Sequence, residues 1–345
     1  MLSPDQLRQY TAIRRGAALI DRHDRGRIAV RGNDRKPFLQ ALLTNDILAL
    51  GPGAGCYAAL LTPLGRMVTD MRVFDLGDAL LVDVPGAARE GLIARLDQMI
   101  FGEDVQLGDL TDALGCVSVQ GPLAAAMIGR ALGDLPGSAP AAGASDMASW
   151  PAFGNRRVDL NGEVGILARV EEFGLPGFLV LAPPTRLPAL AAAIAADGAI
   201  VPDAEVVETL RVESGTPLFF VDMTDDTIPL EAGIEALAIS STKGCYPGQE
   251  VIVRIRDRGH GRVVRKLVGL AVDGDAEPSP GDKLVVDGHE VGHVTSAGPS
   301  PALGKPIALG YVHRDHVAPG SRVGIAHNGS VLAATVTALP FVANS

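Results

Sequence analysis

The chain has 345 residues, enough for two domains with separate cores, and its 47% apolar and 20% charged residues exclude a disordered or fibrous protein. A net charge of -10 and 4% aromatic residues argue against nucleic-acid binding, because phosphate backbones select basic faces and single strands need stacking platforms. Three cysteines without C-x-x-C spacing exclude a disulfide framework, and no apolar run reaches 18 residues, so the expected protein touches no membrane and works in the cytoplasm.

In chain order, Asp5 to Gly16 has the spacing of a short amphipathic helix, and Gly26 to Gly32 alternates as a strand. Asp34 is expected to cap a helix whose Phe38, Leu39, Leu42 and Leu43 share a face. Cys56 to Leu61, Val68 to Leu76 and Ala79 to Val84 read as strands, the first two joined through Gly65-Arg66. That turn either presents the Arg66 guanidinium to a ligand carboxylate or closes an ordinary hairpin with a surface salt bridge. Ala87 to Ile100 is helical by spacing. Val105 to Leu110 and Cys116 to Val119 are strands, and Pro122 stands at the opening of a helix over Leu123 to Leu132. Gly133 to Ser149, rich in Gly, Pro, Ala and Ser, reads as a surface loop. Strands follow at Asn155 to Leu160, Val164 to Val170 and Phe178 to Leu181, then helices at Leu187 to Asp197 and from the Asp203 cap to Glu213.

The stretch Lys243-Gly244-Cys245-Tyr246-Pro247-Gly248-Gln249-Glu250 sets a thiol two residues after a cation, in a turn shaped by two glycines and a proline. A helix beginning at Gln249 puts Cys245 just ahead of its N-terminus, which with Lys243 favours the thiolate. A half-buried cysteine in a tight turn among solvated charges is the competing reading. Arg254, Arg256, Arg258, Arg262, Arg265 and Lys266 follow, either as a holder for a polyanionic tail or as a solvated face. Beyond Gly261 six short strands predict a small barrel, with Asp287-Gly288 and Asn328-Gly329 as type I′ turns. The boundary implied is 1–260 and 261–345. His260, His289, His293, His313, His316 and His327 lack metal-ligand spacing and are expected on turns and strand surfaces.

The octapeptide, with Val251 and Arg254 after it, resembles the K-G-C-[YF]-x-G-Q-E signature of YgfZ-type folate-binding proteins, relatives of the glycine-cleavage T-protein (aminomethyltransferase). The T-protein counterpart, K-G-x-[FY]-x-G-[KR]-E, lacks the cysteine. Supporting matches are Gly16-Ala-Ala-Leu-Ile-Asp21, Phe38 to Asp46, Thr62-Pro-Leu-Gly-Arg66 with Asp70, Arg169 to Phe178, and Leu210 to Pro217 with Asp222-Met223 and Pro229 to Ala232.

The resemblance implies an α+β fold: an aminomethyltransferase-like folate-binding domain of mixed and antiparallel sheets with flanking helices, then a C-terminal β-barrel. It implies tetrahydrofolate as the ligand and no resident metal or cluster, since one positioned cysteine cannot supply the four thiolates a cluster needs. Cys245 and Lys243 are the implied reactive pair. Tyr57, Arg66, Asp70, Arg169, Arg211, Asp222, Glu231, Tyr246, Gln249, Glu250 and Arg254 are the implied folate-binding residues, with structural roles open for Arg211, Asp222 and Glu231.

Two family features are missing. Glu90-Gly91-Leu92 stands where the family's transfer aspartate is expected, and Leu175 and Leu179 stand at the acidic pterin-anchoring positions, leaving Glu171 or Glu172 to substitute. The expected function is therefore a tetrahydrofolate-binding accessory protein in iron-sulfur cluster assembly or repair, partnered by client enzymes or scaffold proteins. The alternatives are a folate-dependent one-carbon transferase, either aminomethyltransferase or demethylase, and a binding module without folate.

Overall fold

A computed structural model of the chain describes residues 1–134, 144–259 and 261–342, so residues 135–143 of the expected surface loop and His260 fall outside the described residues. Helix α1 (Pro4–Arg15) opens on a capping box in which Ser3 and Gln6 exchange hydrogen bonds. Strands β1 (Ala18–Asp21) and β2 (Arg25–Arg31) follow, then α2 (Arg35–Leu42), β3 (Gly55–Leu61), β4 (Met67–Asp75), β5 (Leu80–Pro85), α3 (Arg89–Asp97), β6 (Gln106–Asp109) and β7 (Gly115–Gln120). Next come α4 (Ala124–Asp134), β8 (Asn155–Asp159), β9 (Val164–Arg169), β10 (Gly177–Ala182), α5 (Leu187–Ala196) and α6 (Ala204–Ser214).

These strands form two antiparallel sheets, ordered β3-β4-β5-β2-β6 and β1-β7-β10-β9-β8. The outer face of the first packs Ile28, Val30, Val73 and Val82 against Phe38 and Leu39 of α2 and Leu92 and Leu96 of α3. The second packs Val117, Val119 and Val180 against Met127 and Ile128 of α4 and Leu190 and Ile194 of α5. Their inner faces meet through Phe74, Leu81, Cys116, Ile166, Leu179 and Leu181. Burial removes this apolar area from water at roughly 25 cal/mol per Å², and it fixes which side chains point inward.

Asp34 and Asp203 stand at the caps of α2 and α6, as expected, but neither side chain caps its helix. Asp34 instead accepts from the Asp104 amide at 2.9 Å, tying α2 to the segment before β6.

After α6 come the one-turn helices α7 (Pro229–Ala232) and α8 (Glu235–Ala238), then α9 (Gln249–Val253), which passes into a π turn over Arg254–Arg258. Strands β11 (Arg265–Val272), β12 (Lys283–Val286), β13 (His289–Ser300), β14 (Lys305–His313), β15 (Arg322–His327) and β16 (Ser330–Thr337) close a barrel in the order β11-β14-β13-β12-β15-β16. Its two expected hairpin turns have φ of 51° and 79° at Asp287-Gly288 and 46° and 77° at Asn328-Gly329, the type I′ signature. The barrel is bolted to α6. Val212 packs with Leu267, Ile307, Leu309 and Tyr311, and Glu213 accepts from Tyr10 Oη at 2.7 Å and Ser300 Oγ at 2.5 Å. No helix among the described residues is long and apolar enough to cross a membrane.

Candidate functional site

Strand alternation puts Asp70, Arg72 and Phe74 of β4 on one face, and Ser118 and Gln120 on the same face of β7 as Cys116. The layer between the sheets therefore changes character along its length, from the apolar block around Phe74 and Cys116 to a block of ions. Burial pushes the Cys116 thiol up to about 12, so the apolar end holds an inert thiol. At the other end Glu172, in the turn between β9 and β10, accepts from Arg22, from Arg72 at 2.5 Å and from Ser118 Oγ at 2.6 Å. Arg72 also reaches Asp83 at 3.1 Å, and Arg25 meets that carboxylate at 2.8 Å. Gln120 fixes the array, donating to Ser118 Oγ at 2.8 Å and accepting from the Glu172 amide at 2.9 Å. Burial works to raise the Glu172 pKa, but Arg22, Arg72 and Ser118 outweigh it and hold the carboxyl well below the usual range.

Asp70 is different. It is 7% exposed and its Oδ2 accepts from Tyr57 Oη at 2.7 Å, while its buried Oδ1 has no hydrogen-bond partner among the described residues. Burial, and then the neighbouring Asp70 charge, push the Tyr57 phenol well above its ordinary value.

The octapeptide lies beside this block. Tyr246 is buried with Ala59, Leu61, Met67 and Ile252, and Tyr57 packs against the same cluster. Gly248 needs its glycine twice over: φ is 81°, and a Cβ there would sit 2.5 Å from the Thr62 carbonyl oxygen, so the signature docks on the Thr62–Arg66 hairpin turn. Lys243 is buried, and its ammonium donates to the carbonyls of Gln40 at 2.6 Å, Leu43 and Asn45 at 3.3 Å while lying 5.1 Å from the Tyr246 ring centre. Burial pulls its pKa down to about 8, with Asp46 opposing. The expected alignment of this ammonium with the thiol gives way to a cap on the C-terminal end of α2. Cys245 is exposed, four residues ahead of the five-residue α9 that Gln249 opens.

The remaining expected residues are dispersed. Glu250 and Arg254 pair with each other at 2.8 Å on the surface, and Arg66 pairs with exposed Asp226. Arg169 donates to the carbonyls of Ala148 at 2.8 Å and Trp150 and to Glu171 at 3.0 Å. Arg211 is enclosed by Glu208, the Thr216 carbonyl, Asp222 at 2.7 Å and Ser296, and Asp222 also accepts from Thr295 at 2.6 Å, which makes this pair the junction with the barrel. Glu231 accepts from the Ile228 amide and Arg265, both at 3.3 Å.

Glu90 points outward, its side chain 87% exposed and paired with Arg89. Leu175 and Leu179 are buried packing residues, Glu171 lies on the surface with Arg169, and Glu172 is committed to its arginines. Arg22, Arg25, Arg72, Asp83 and Ser118 are the site-forming residues that sequence reasoning passed over. The usable signal was the pair of opposite charges two positions apart on β4, Asp70 and Arg72.

The GCVT N-terminal domain model matches residues 3–242, and the glycine cleavage T-protein C-terminal barrel domain matches residues 265–343. An aminomethyltransferase of Rubrobacter xylanophilus is 31% identical over 304 residues, 88% of this chain and 78% of its own length. One of Prochlorococcus marinus is 30% identical over 347 residues, 97% of this chain and 89% of its own. In three dimensions the chain resembles the crystal structure of the glycine cleavage system aminomethyltransferase T from Bartonella henselae, with a TM-score of 0.86 at 25% identity, covering 97% of this chain and 89% of that one. These relatives overturn the expected iron-sulfur assembly or repair role with its client and scaffold partners, because aminomethyltransferase is the activity they are named for. Two domain matches that together span nearly the whole length, with relatives at this identity, make the chain a member of the glycine cleavage T-protein (aminomethyltransferase) family.

Proposed function

We propose that this protein is a folate-dependent one-carbon transferase that moves an aminomethyl carbon onto tetrahydrofolate. The observation that carries the reading is Asp70: a buried carboxylate with one oxygen held by a phenol and the other without a partner among the described residues, beside a grid of ion pairs that fixes its strand. An amine nitrogen that gains a carbon substituent must shed a proton, and general-base catalysis of that step contributes about 10²- to 10⁴-fold. Asp70 Oδ1 is the acceptor for that proton. The Tyr57 hydroxyl, donating to Oδ2, holds the carboxylate in orientation. The proton-accepting carboxylate, missing at Glu90-Gly91-Leu92, is thus supplied by a strand residue inside the molecule.

The residues fit a reduced pterin in one respect: an orphaned buried acceptor suits a ligand rich in N–H donors. Bound tetrahydrofolate supplies the nitrogens that receive the carbon. Tyr57 and Asp70 face it, and Arg22, Arg25 and Arg72 act through Glu172 and Asp83 as positioning residues. We take 1–260 as the folate-binding unit and 261–345 as the barrel. On Cys245 and Gln249 alone, we place the chain in the YgfZ-type branch of the family.

Purified protein given tetrahydrofolate and an aminomethyl donor should load the carbon onto folate and release ammonia. Folate at about a hundred times its Kd should stabilise the fold by about 2.7 kcal/mol. No thermal shift at millimolar tetrahydrofolate sinks the reading.

A further inference from the structure

Strand β3 lies at the edge of its sheet, with β4 on its inner side. Its outer edge is taken up by Thr44 and Asn45, in the segment that leaves α2. The Thr44 amide donates to the Ala59 carbonyl at 3.0 Å, the Ala59 amide donates to Thr44 Oγ1 at 2.9 Å, and Asn45 Nδ2 donates to the Tyr57 carbonyl at 2.8 Å. Both β3 residues bear on Asp70: Ala59 is its partner across the ladder, and Tyr57 Oη holds its Oδ2 at 2.7 Å. An edge strand whose outer backbone groups lack partners opens more readily than a paired one. Thr44 and Asn45 therefore strap down the strand that orients the proposed base.

Lys243 holds the strap in turn. Its ammonium donates to the carbonyls of Gln40 at 2.6 Å, Leu43 and Asn45 at 3.3 Å, satisfying the C=O groups at the end of α2 where the chain turns into Thr44 and Asn45. The other groups facing the ammonium are the Asp46 carboxylate, the Cys56 thiol and the Tyr246 ring. Burial pushes Cys56, Tyr57 and Tyr246 upward and draws Lys243 down to about 8, so the ammonium loses its proton before any of those three.

We propose that Lys243 is a positioning residue for proton transfer: through Thr44 and Asn45 it fixes the part of β3 that orients Asp70, and loss of its proton slackens that hold. The inference rests on the transfer reading above. A neutral amine has two N–H groups for three carbonyls and turns its lone pair toward one of them. The strap gives first at Asn45, the most distant of the three.

The pH dependence of kcat for the full chain, with tetrahydrofolate and an aminomethyl donor, tests this. In wild type kcat should fall about tenfold on the alkaline side, with its midpoint near 8, while the KM for folate stays within about twofold. Lys243→Met should be about tenfold slower below that midpoint and show no alkaline fall. Asn45→Ala, which keeps the lysine and cuts the strap, should lose as much. The double variant should be no slower than the slower single variant, because the two residues act in series. A level wild-type kcat through this range, an alkaline fall that survives in Lys243→Met, or losses that multiply in the double variant overturn the strap while leaving the transfer reading intact. If wild type turns over at no pH, the transfer reading falls and the strap's role with it.

Discussion

Glu172 and Lys243 are both charged, both buried and both held by three polar partners, yet the two surroundings do opposite things. Glu172 is answered by two guanidiniums and a hydroxyl, so its charge is more secure than in water. Lys243 is answered by three backbone carbonyls and an aromatic face, and burial leaves it close to neutralisation. Side-chain ions answering ions make a rigid grid in which an acid left outside the pairing, Asp70, stands apart. A cation answered by carbonyls fixes backbone instead, pinning the octapeptide turn to the end of α2.

The strongest way to break this contrast is to neutralise Glu172. Glu172→Gln leaves Arg22 with Asp24 alone and Arg72 with Asp83 alone, two buried guanidiniums short of a shared carboxylate, and should cost about 3–5 kcal/mol, read as a fall in denaturant midpoint. The acid limb should follow the same residue. Its folded pKa lies below the ordinary 4.5, so its stabilisation is complete above that value and is lost as pH falls below it. In the variant that part of the acid dependence disappears. A wild-type-like midpoint for Glu172→Gln shows the grid to be ornamental.

Asp70→Asn probes the acid outside the grid. Transfer turnover should drop at least about 10²-fold while stability changes by less than about 1.5 kcal/mol, since one neutral hydrogen bond to Tyr57 remains available. Equal losses of folding and turnover assign Asp70 to the scaffold.

Lys243→Met should cost less than Glu172→Gln, about 1–3 kcal/mol, because three carbonyls lose a donor but no opposite charge is stranded. With a folded pKa of about 8 against an ordinary 10.5, the unfolded chain holds the proton more tightly between those values. Stability of wild type therefore rises with pH across that window, and Lys243→Met removes the rise. A pH-independent wild type there shows that the carbonyls hold the ammonium charged.

Much of the architecture was legible because it is written locally. Asn328-Gly329 and Asp287-Gly288 announce their turns through the positive φ that few residues tolerate, and the strands of the barrel alternate as they should. The site was half legible. Tyr57 and Asp70 were named through family likeness, but the ions that surround them come from far apart: Glu172 is 100 residues from Arg72 and 150 from Arg22. Lys243 misled for the same reason. Sequence proximity suggests Cys245 as its partner, whereas its ammonium lies against the Leu43 carbonyl, 200 residues away.

The smallest expected effect separates the two regions most sharply. Cys245 is the most conspicuous residue of the octapeptide and lies exposed, while its turn is held by Lys243, Tyr246 and Gly248. A surface substitution away from cap, core and ion pair changes stability by less than about 0.5 kcal/mol. Cys245→Ser should meet that limit. If Asp70 Oδ1 takes the proton and Cys245 has no part in transfer, turnover of the serine variant should stay within about twofold of wild type, far short of what losing a general base costs. A hundredfold loss with unchanged folding and folate affinity makes the sulfur a reacting atom, and the chemistry then belongs to the octapeptide rather than to the layer between the sheets.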